Sequence, residues 1–219
     1  MSLSQFKEDG EQQTASWLYE RCGHVTASRF KDVIAVTKKN WRPAAARQAY
    51  LWEIVIERLT GQPAEHYTSA AMQWGTEQEE FSRMAYEART GEIVTQVGFL
   101  KHPTLPMVGG SPDGLIGDDG GWESKSPYNS ANHLQCFLAR ACAGTGMPEE
   151  HMPQVQGLMG ITNRQWWIFC SFDPRMPAAL QLYIERIERD QAFIDAMEAQ
   201  IVTFLAEVAD VVAELKAAS

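Results

Sequence analysis

The strongest constraint on the fold lies in Met107 to Tyr128, which reads M-V-G-G-S-P-D-G-L-I-G-D-D-G-G-W-E-S-K-S-P-Y. Two short strand-like runs flank Gly117-Asp118-Asp119-Gly120-Gly121, the punctuation of a β-hairpin. Pairing centred near Asp118 sets Asp113 opposite Glu123, with Lys125 two residues on and facing the same side. Directly opposed carboxylates repel, so folding alone gives no reason to join them unless a cation offsets the repulsion. A divalent metal is the natural candidate. The other reading of the same residues is a surface hairpin with a Gly-Asp turn and a routine Glu123/Lys125 pair.

At 219 residues the chain can bury a full hydrophobic core, and no break in composition suggests a second one, so a single domain over 1–219 is expected. The N-terminus (Met1 to Gly10) is polar, and no uncharged apolar run approaches the length that spans a bilayer. A soluble, intracellular protein with no membrane partner is expected. Cys22, Cys136, Cys142 and Cys170 form no C-x-x-C pair and match no four-cysteine cluster spacing, so reduced, partly buried thiols are expected. The net charge of -9 argues against a nucleic-acid partner, yet Arg21, Arg29, Lys31, Lys38, Lys39, Arg42 and Arg47 crowd the first fifty residues. A basic working face with an acidic exterior satisfies both facts.

Taken in order, Glu11 to Arg21 reads as a helix ending at Gly23, and a second helix opens around Val25-Thr26-Ala27-Ser28. Free amides there, with Ser28 and Arg21 nearby, would suit a phosphate, but on the residues alone an ordinary capped helix is the favoured reading. Lys38-Lys39-Asn40-Trp41-Arg42-Pro43 is a basic, aromatic-bearing loop able to grip a nucleic-acid backbone or to serve as a plain connection. Helices follow over Pro43 to Thr60 and Ala70 to Arg89, the latter with Met72, Phe81, Met84 and Ala85 approximating an apolar face. Glu92 to Leu100 has β character. After the hairpin come helices over Asn129 to Ala143 and Pro148 to Ile161, strands over Gln165 to Phe172 and Leu180 to Ile187, and a closing helix over Arg189 to Ala217. The pattern is an α/β fold with a mixed central sheet flanked by helices.

A bare acid-any-Lys string carries little, since Glu214-Leu215-Lys216 repeats it near a helix end. Context separates the first copy: a strand, Pro112-Asp113 ten residues upstream and a Gly-rich turn between. Phosphodiester hydrolysis needs such a set. Magnesium takes oxygen ligands and keeps several waters, so a few carboxylates and a backbone carbonyl suit it. A lysine beside the ion can orient the attacking water or offset developing charge.

S-P-D-G followed by W-E-S-K-S-P resembles the PD-(D/E)xK nuclease signature, and the wider chain resembles the phage lambda exonuclease family, the YqaJ-like viral recombinases. R-C-G-H-V-T-A-S, W-G-T-E-Q-E-E, P-Q-V-Q and F-D-P-R-M occur in the expected order from about Trp17 to the final helix. The resemblance implies a restriction-endonuclease-like core. It implies Asp113 and Glu123 as metal-binding carboxylates, Lys125 as the catalytic lysine, the Ser124 carbonyl as a backbone ligand and Glu79 as the helical glutamate completing the site, with Gln154 adjoining it. It implies that Arg21 and Ser28 hold the 5′-phosphate of a DNA end. Met72 matches an apolar wedge where strands separate, and Lys38 or Lys39 a basic loop residue in the DNA channel. His151 stands where a relative has an aromatic hydroxyl.

The activity implied by the resemblance is Mg²⁺-dependent digestion of one strand of duplex DNA in the 5′ to 3′ direction, Mn²⁺ substituting. Mononucleotides are released, and a 3′ overhang remains for recombination. A ring-shaped homotrimer, a single-strand annealing protein as partner and the cytoplasm of a bacterial or phage-infected cell are likewise implied. Two rivals remain: a structure-selective or site-specific endonuclease on the same core, and a non-catalytic DNA-end binder.

Overall fold

The computed structural model describes residues 12, 14–36, 44–64 and 68–218. Lys38, Lys39 and the rest of the basic loop lie outside the described residues.

Helix α1 (Ala15–Arg21) starts where the Thr14 side chain accepts the Trp17 N–H, and Gly23 behind it takes a left-handed φ of 72°. The helix expected from Val25 begins later. Val25–Thr26 instead form β1, a three-residue 3-10 turn covers Ala27–Arg29, and α2 is only Phe30–Val33. Helices α3 (Ala45–Thr60) and α4 (Ala70–Thr90) both stop at left-handed glycines, Gly61 and Gly91. Short strands β2 (Val94–Thr95), β3 (Leu100–Lys101), β4 (Val108–Gly110) and β5 (Gly114–Ile116) lead into β6 (Gly120–Lys125). Helices α5 (Ser130–Ala143, capped by Asn129) and α6 (Met152–Thr162) then cross to β7 (Trp166–Phe172). Strand β8 (Leu182–Glu188) and helix α7 (Gln191–Ala217) follow.

The mixed sheet has the order β2-β5-β6-β7-β8, with β6 and β7 parallel and the other pairs antiparallel. A parallel pair needs a long crossover, which α5 and α6 supply. A second, three-stranded sheet has the order β1-β4-β3, with β1 falling where a helix was expected. Gly120 and Gly121 open β6 because a Cβ there would lie 2.2 Å and 2.3 Å from the rings of Trp166 and Trp167 on β7.

One face of the mixed sheet carries Trp167, Phe169 and Ile187 into a core shared with α2, α3, α6 and α7. The other carries Trp122, Ile168, Cys170 and Phe172 against Tyr86 of α4. Helix α4 corrects the expectation drawn from its apolar residues. Met72, Phe81 and Met84 are 54%, 55% and 53% exposed, whereas Gln78, Ser82 and Tyr86 are buried. The helix lies close to β6, and a small residue is needed at the contact: the Ser82 and Ser124 hydroxyls meet at 2.6 Å. That rotation turns the outer apolar residues to solvent and brings Glu79 toward the hairpin.

Candidate active site

The hairpin pairs Gly114 with Trp122, Leu115 with Gly121 and Ile116 with Gly120, the register centred on Asp118 that the sequence implies. Arg164, fully buried, locks the turn by donating from Nη1 to the carbonyls of Ile116, Gly117 and Gly120 at 3.1, 2.8 and 2.6 Å. Asp113 sits just ahead of β5 and accepts the backbone N–H of Ser124 at 2.8 Å.

Glu123 is fully buried at the centre of the site. Its Oε1 accepts hydrogen bonds from the Lys125 ammonium and from Gln154 Nε2, the latter at 2.6 Å. Its Oε2 is buried with no hydrogen-bond partner among the described residues. An unpaired, desolvated carboxylate oxygen is costly and marks a missing positive group. Electrostatics agree. Burial, then Asp113, lifts the Glu123 carboxyl to about 7. Burial, then Asp113 and Glu123, lifts Glu79 to about 8. Burial raises Asp113 as well, against the pull of Lys125 and the Ser124 N–H. For Lys125 burial works downward, but Glu123 and Asp113 outweigh it and hold the amine charged. Three carboxyls and one amine thus share a place where negative charge exceeds its compensation.

These groups open into a cavity of about 880 Å³ that is also lined by Ser124, Gln154, Arg21, Ser28 and Met72. Every described residue singled out in the sequence for the site therefore lies on one cavity. On its wall the Arg21 guanidinium stacks 4.1 Å from the Trp17 ring centroid and donates to Ser111 Oγ, two residues ahead of Asp113, at 3.3 Å. Trp17 Nε1 donates to the same hydroxyl at 2.9 Å. The turn behind Arg21 is pinned by buried Glu57, which accepts the N–H groups of Gly23 (2.7 Å) and Ala64 (2.9 Å). Because α2 is so short, a helix dipole contributes little here, and the polar groups offered to the cavity are the side chains of Arg21, Ser28 and Ser111. The sequence reading missed Ser111 and the role of Trp17. The four-residue spacing of Trp17 and Arg21 on one helix face was the available signal. His151 also lines the cavity, stacked on Phe169 at 5.6 Å, and burial together with Lys125 and Lys31 pushes its imidazole down to about 3, so it is neutral.

The donors fit a hard divalent ion. Among the described residues no three His, Cys, Asp or Glu side chains close round an ion by themselves. Magnesium asks for less: one or two carboxylates, with waters and other oxygens completing its shell. The orphaned Glu123 Oε2 beside Asp113 and the Ser124 backbone meets that requirement.

The architecture agrees with that of solved exonucleases. LHK-Exo, solved in complex with dAMP, is 43% identical over 93% of this chain and 96% of its own, with a TM-score of 0.83. The alkaline exonuclease LHK-Exo from Laribacter hongkongensis gives 42% identity, the same coverage and a TM-score of 0.80. A phage related exonuclease from Haemophilus somnus 129PT shares the fold alone, at 15% identity and a TM-score of 0.65 over 88% of this chain and 96% of that one. No curated protein matches. The core is restriction-endonuclease-like, as the resemblance implied. The family model of the YqaJ-like viral recombinase domain matches residues 16–165. With that match running through α1, the hairpin and α6, the chain belongs to the YqaJ-like viral recombinase family.

Proposed function

We propose that this protein is a metal-dependent DNA exonuclease, acting over 1–219 as one nuclease domain. It digests one strand of a duplex from its end in the 5′ to 3′ direction, releases mononucleotides and leaves a 3′ single strand for recombination by strand annealing. The observation that carries the reading is the buried, unpaired Oε2 of Glu123 beside Asp113 and Lys125, opening into a cavity large enough for a nucleotide. Two facts about relatives support it: LHK-Exo binds dAMP, a mononucleotide, and is named an alkaline exonuclease. Without a cation, burial and mutual repulsion hold the carboxyls of Glu123 and Glu79 at about 7 and about 8, the signature of a site short of positive charge.

Asp113, Glu123 and the Ser124 carbonyl hold the ion, with Glu79 closing the set from α4. Mg²⁺ is the expected ion and Mn²⁺ its substitute. When bound, the ion supplies positive charge for the phosphate oxygens and acidity for water. Gln154 fixes Glu123 by occupying Oε1. Lys125 orients the attacking water for in-line displacement and offsets the charge that grows on the phosphate. Arg21 and Ser28 hold the 5′-phosphate of the end, and exposed Met72 stands on the rim as the wedge between strands. Lys38 or Lys39 contributes a channel contact. A homotrimer encircling DNA in the cytoplasm, working with an annealing protein, completes the proposal.

The discriminating experiment incubates linear and covalently closed duplexes with Mg²⁺. Loss of the linear form with an intact circle is expected. Cleavage of the circle points to an endonuclease, and binding without loss of either points to an end-binding protein.

A further inference from the structure

The string Phe172-Asp173-Pro174-Arg175-Met176 follows β7 and takes no part in the mechanism above. Its geometry is specific. Buried Asp173 accepts Nε and Nη2 of Arg175 at 2.7 and 2.8 Å, a two-point fork that fixes the guanidinium plane. The remaining donors turn to the carbonyls of Pro127 and Tyr128, each at 3.2 Å, on the segment leaving Lys125. The face of the guanidinium lies 4.6 Å from the ring centroid of Trp74, which Tyr128 meets edge-on at 6.5 Å. The Trp74 indole N–H has no hydrogen-bond partner among the described residues, so ring contacts hold that side chain in place.

Arg175 therefore joins three pieces: the end of β7, the exit from β6 and the first half of α4. Trp74 lies five residues before Glu79 on α4, and Ser82, bonded to Ser124 of β6, lies three after it. Two fixed points, one on either side of Glu79, set both the axis and the rotation of the helix. They thereby set where the Glu79 carboxylate stands relative to Asp113 and Glu123.

We propose that Arg175 is a positioning residue of the nuclease site: by clamping Trp74 and the Pro127–Tyr128 backbone it holds Glu79 and Lys125 in the geometry that seats the ion. This rests on the reading of the site given above. Lysine keeps the charge at 175 but cannot form the planar fork or stack on the indole in the same way. Partners that orient metal ligands alter ion affinity by roughly 10- to 100-fold, so Arg175→Lys is expected to weaken Mn²⁺ binding to the DNA-free protein by about tenfold in calorimetry. The kcat for duplex digestion should fall in parallel while KM for duplex ends and the circular dichroism spectrum stay unchanged. In a Glu79→Gln background, Arg175→Lys should cause no further loss of ion affinity, because the group it positions is already disabled. Trp74→Leu, which removes the stacking partner, should reproduce the loss and be non-additive with Arg175→Lys. Undiminished Mn²⁺ affinity in Arg175→Lys and Trp74→Leu, or losses that add to that of Glu79→Gln, overturn the role of Arg175 alone. A wild-type protein that binds no divalent ion overturns the reading of the site together with this role.

Discussion

Lys125 and Glu123 project from the same face of β6, and the ammonium of one donates to Oε1 of the other while Oε2 of Glu123 is left without a partner. One oxygen is neutralised inside the protein; its twin is left uncompensated. The lysine side chain remains 30% exposed toward the cavity, where substrate and water approach.

In the proposed mechanism Lys125 orients water and balances charge in the transition state, and Lys125→Ala removes it. Loss of a single preorganised donor of this kind lowers kcat by about 10²- to 10³-fold. Single-turnover digestion of duplex DNA should show that drop, with end binding in a gel-shift assay retained. A variant cleaving at the wild-type rate contradicts the role.

Glu123→Gln keeps an acceptor for Lys125 and Gln154 but replaces the unpaired anionic oxygen with an amide. In the absence of metal at about pH 8 it should be more stable than wild type by on the order of 1 kcal/mol, or about 2–4 °C in melting temperature for a chain of this size. Stabilisation by Mg²⁺ and cleavage should both disappear. A lower melting temperature without metal contradicts the claim that Oε2 is a strained, uncompensated charge.

The pH dependence of stability follows from the same groups. In the unfolded chain glutamates ionise near pH 4.3, whereas in the folded protein Glu123 and Glu79 keep protons until about 7 and about 8. Between these limits the native state binds more protons, so metal-free stability falls as pH rises from about 5 to about 8 and levels off above the folded values. Mg²⁺ binds the ionised forms, so the rise in melting temperature on adding it should grow over the same interval. Calorimetric melts with and without Mg²⁺ test this; a gain independent of pH contradicts it.

Arg21→Ala removes a cation from the cavity wall. A hydrogen bond to a charged group is worth about 1.5–3 kcal/mol, so digestion of 5′-phosphorylated ends should slow by roughly tenfold or more, with ends bearing a 5′-hydroxyl little affected. Equal slowing on both substrates contradicts a phosphate-holding role.

The hairpin was legible in the sequence because its information is local: turn residues set the register, and the register sets which side chains meet. The face of α4 was misread because Phe81 and Met84 announce a core by their chemistry, while the contact with β6 needs the small hydroxyl of Ser82. The resemblance named Arg21 and Ser28 together, and both line the one cavity. Ser111 reaches Trp17 across 94 residues, a meeting that only the tertiary fold arranges. The pairing of β1, β4 and β3 into a separate sheet escaped for the same reason, since these strands are two or three residues long and gain order from neighbours distant in sequence.

The central claim is that Asp113 and Glu123 seat a divalent ion that drives cleavage from a 5′ end. The direct measurement is nucleotide release from linear duplexes labelled at the 5′ or the 3′ terminus, with Mg²⁺ or with a chelator. Labelled mononucleotide should appear at once from the 5′-labelled strand, only with Mg²⁺, and not from the 3′ label until late. Release that persists in chelator, or that begins at the 3′ label, contradicts it.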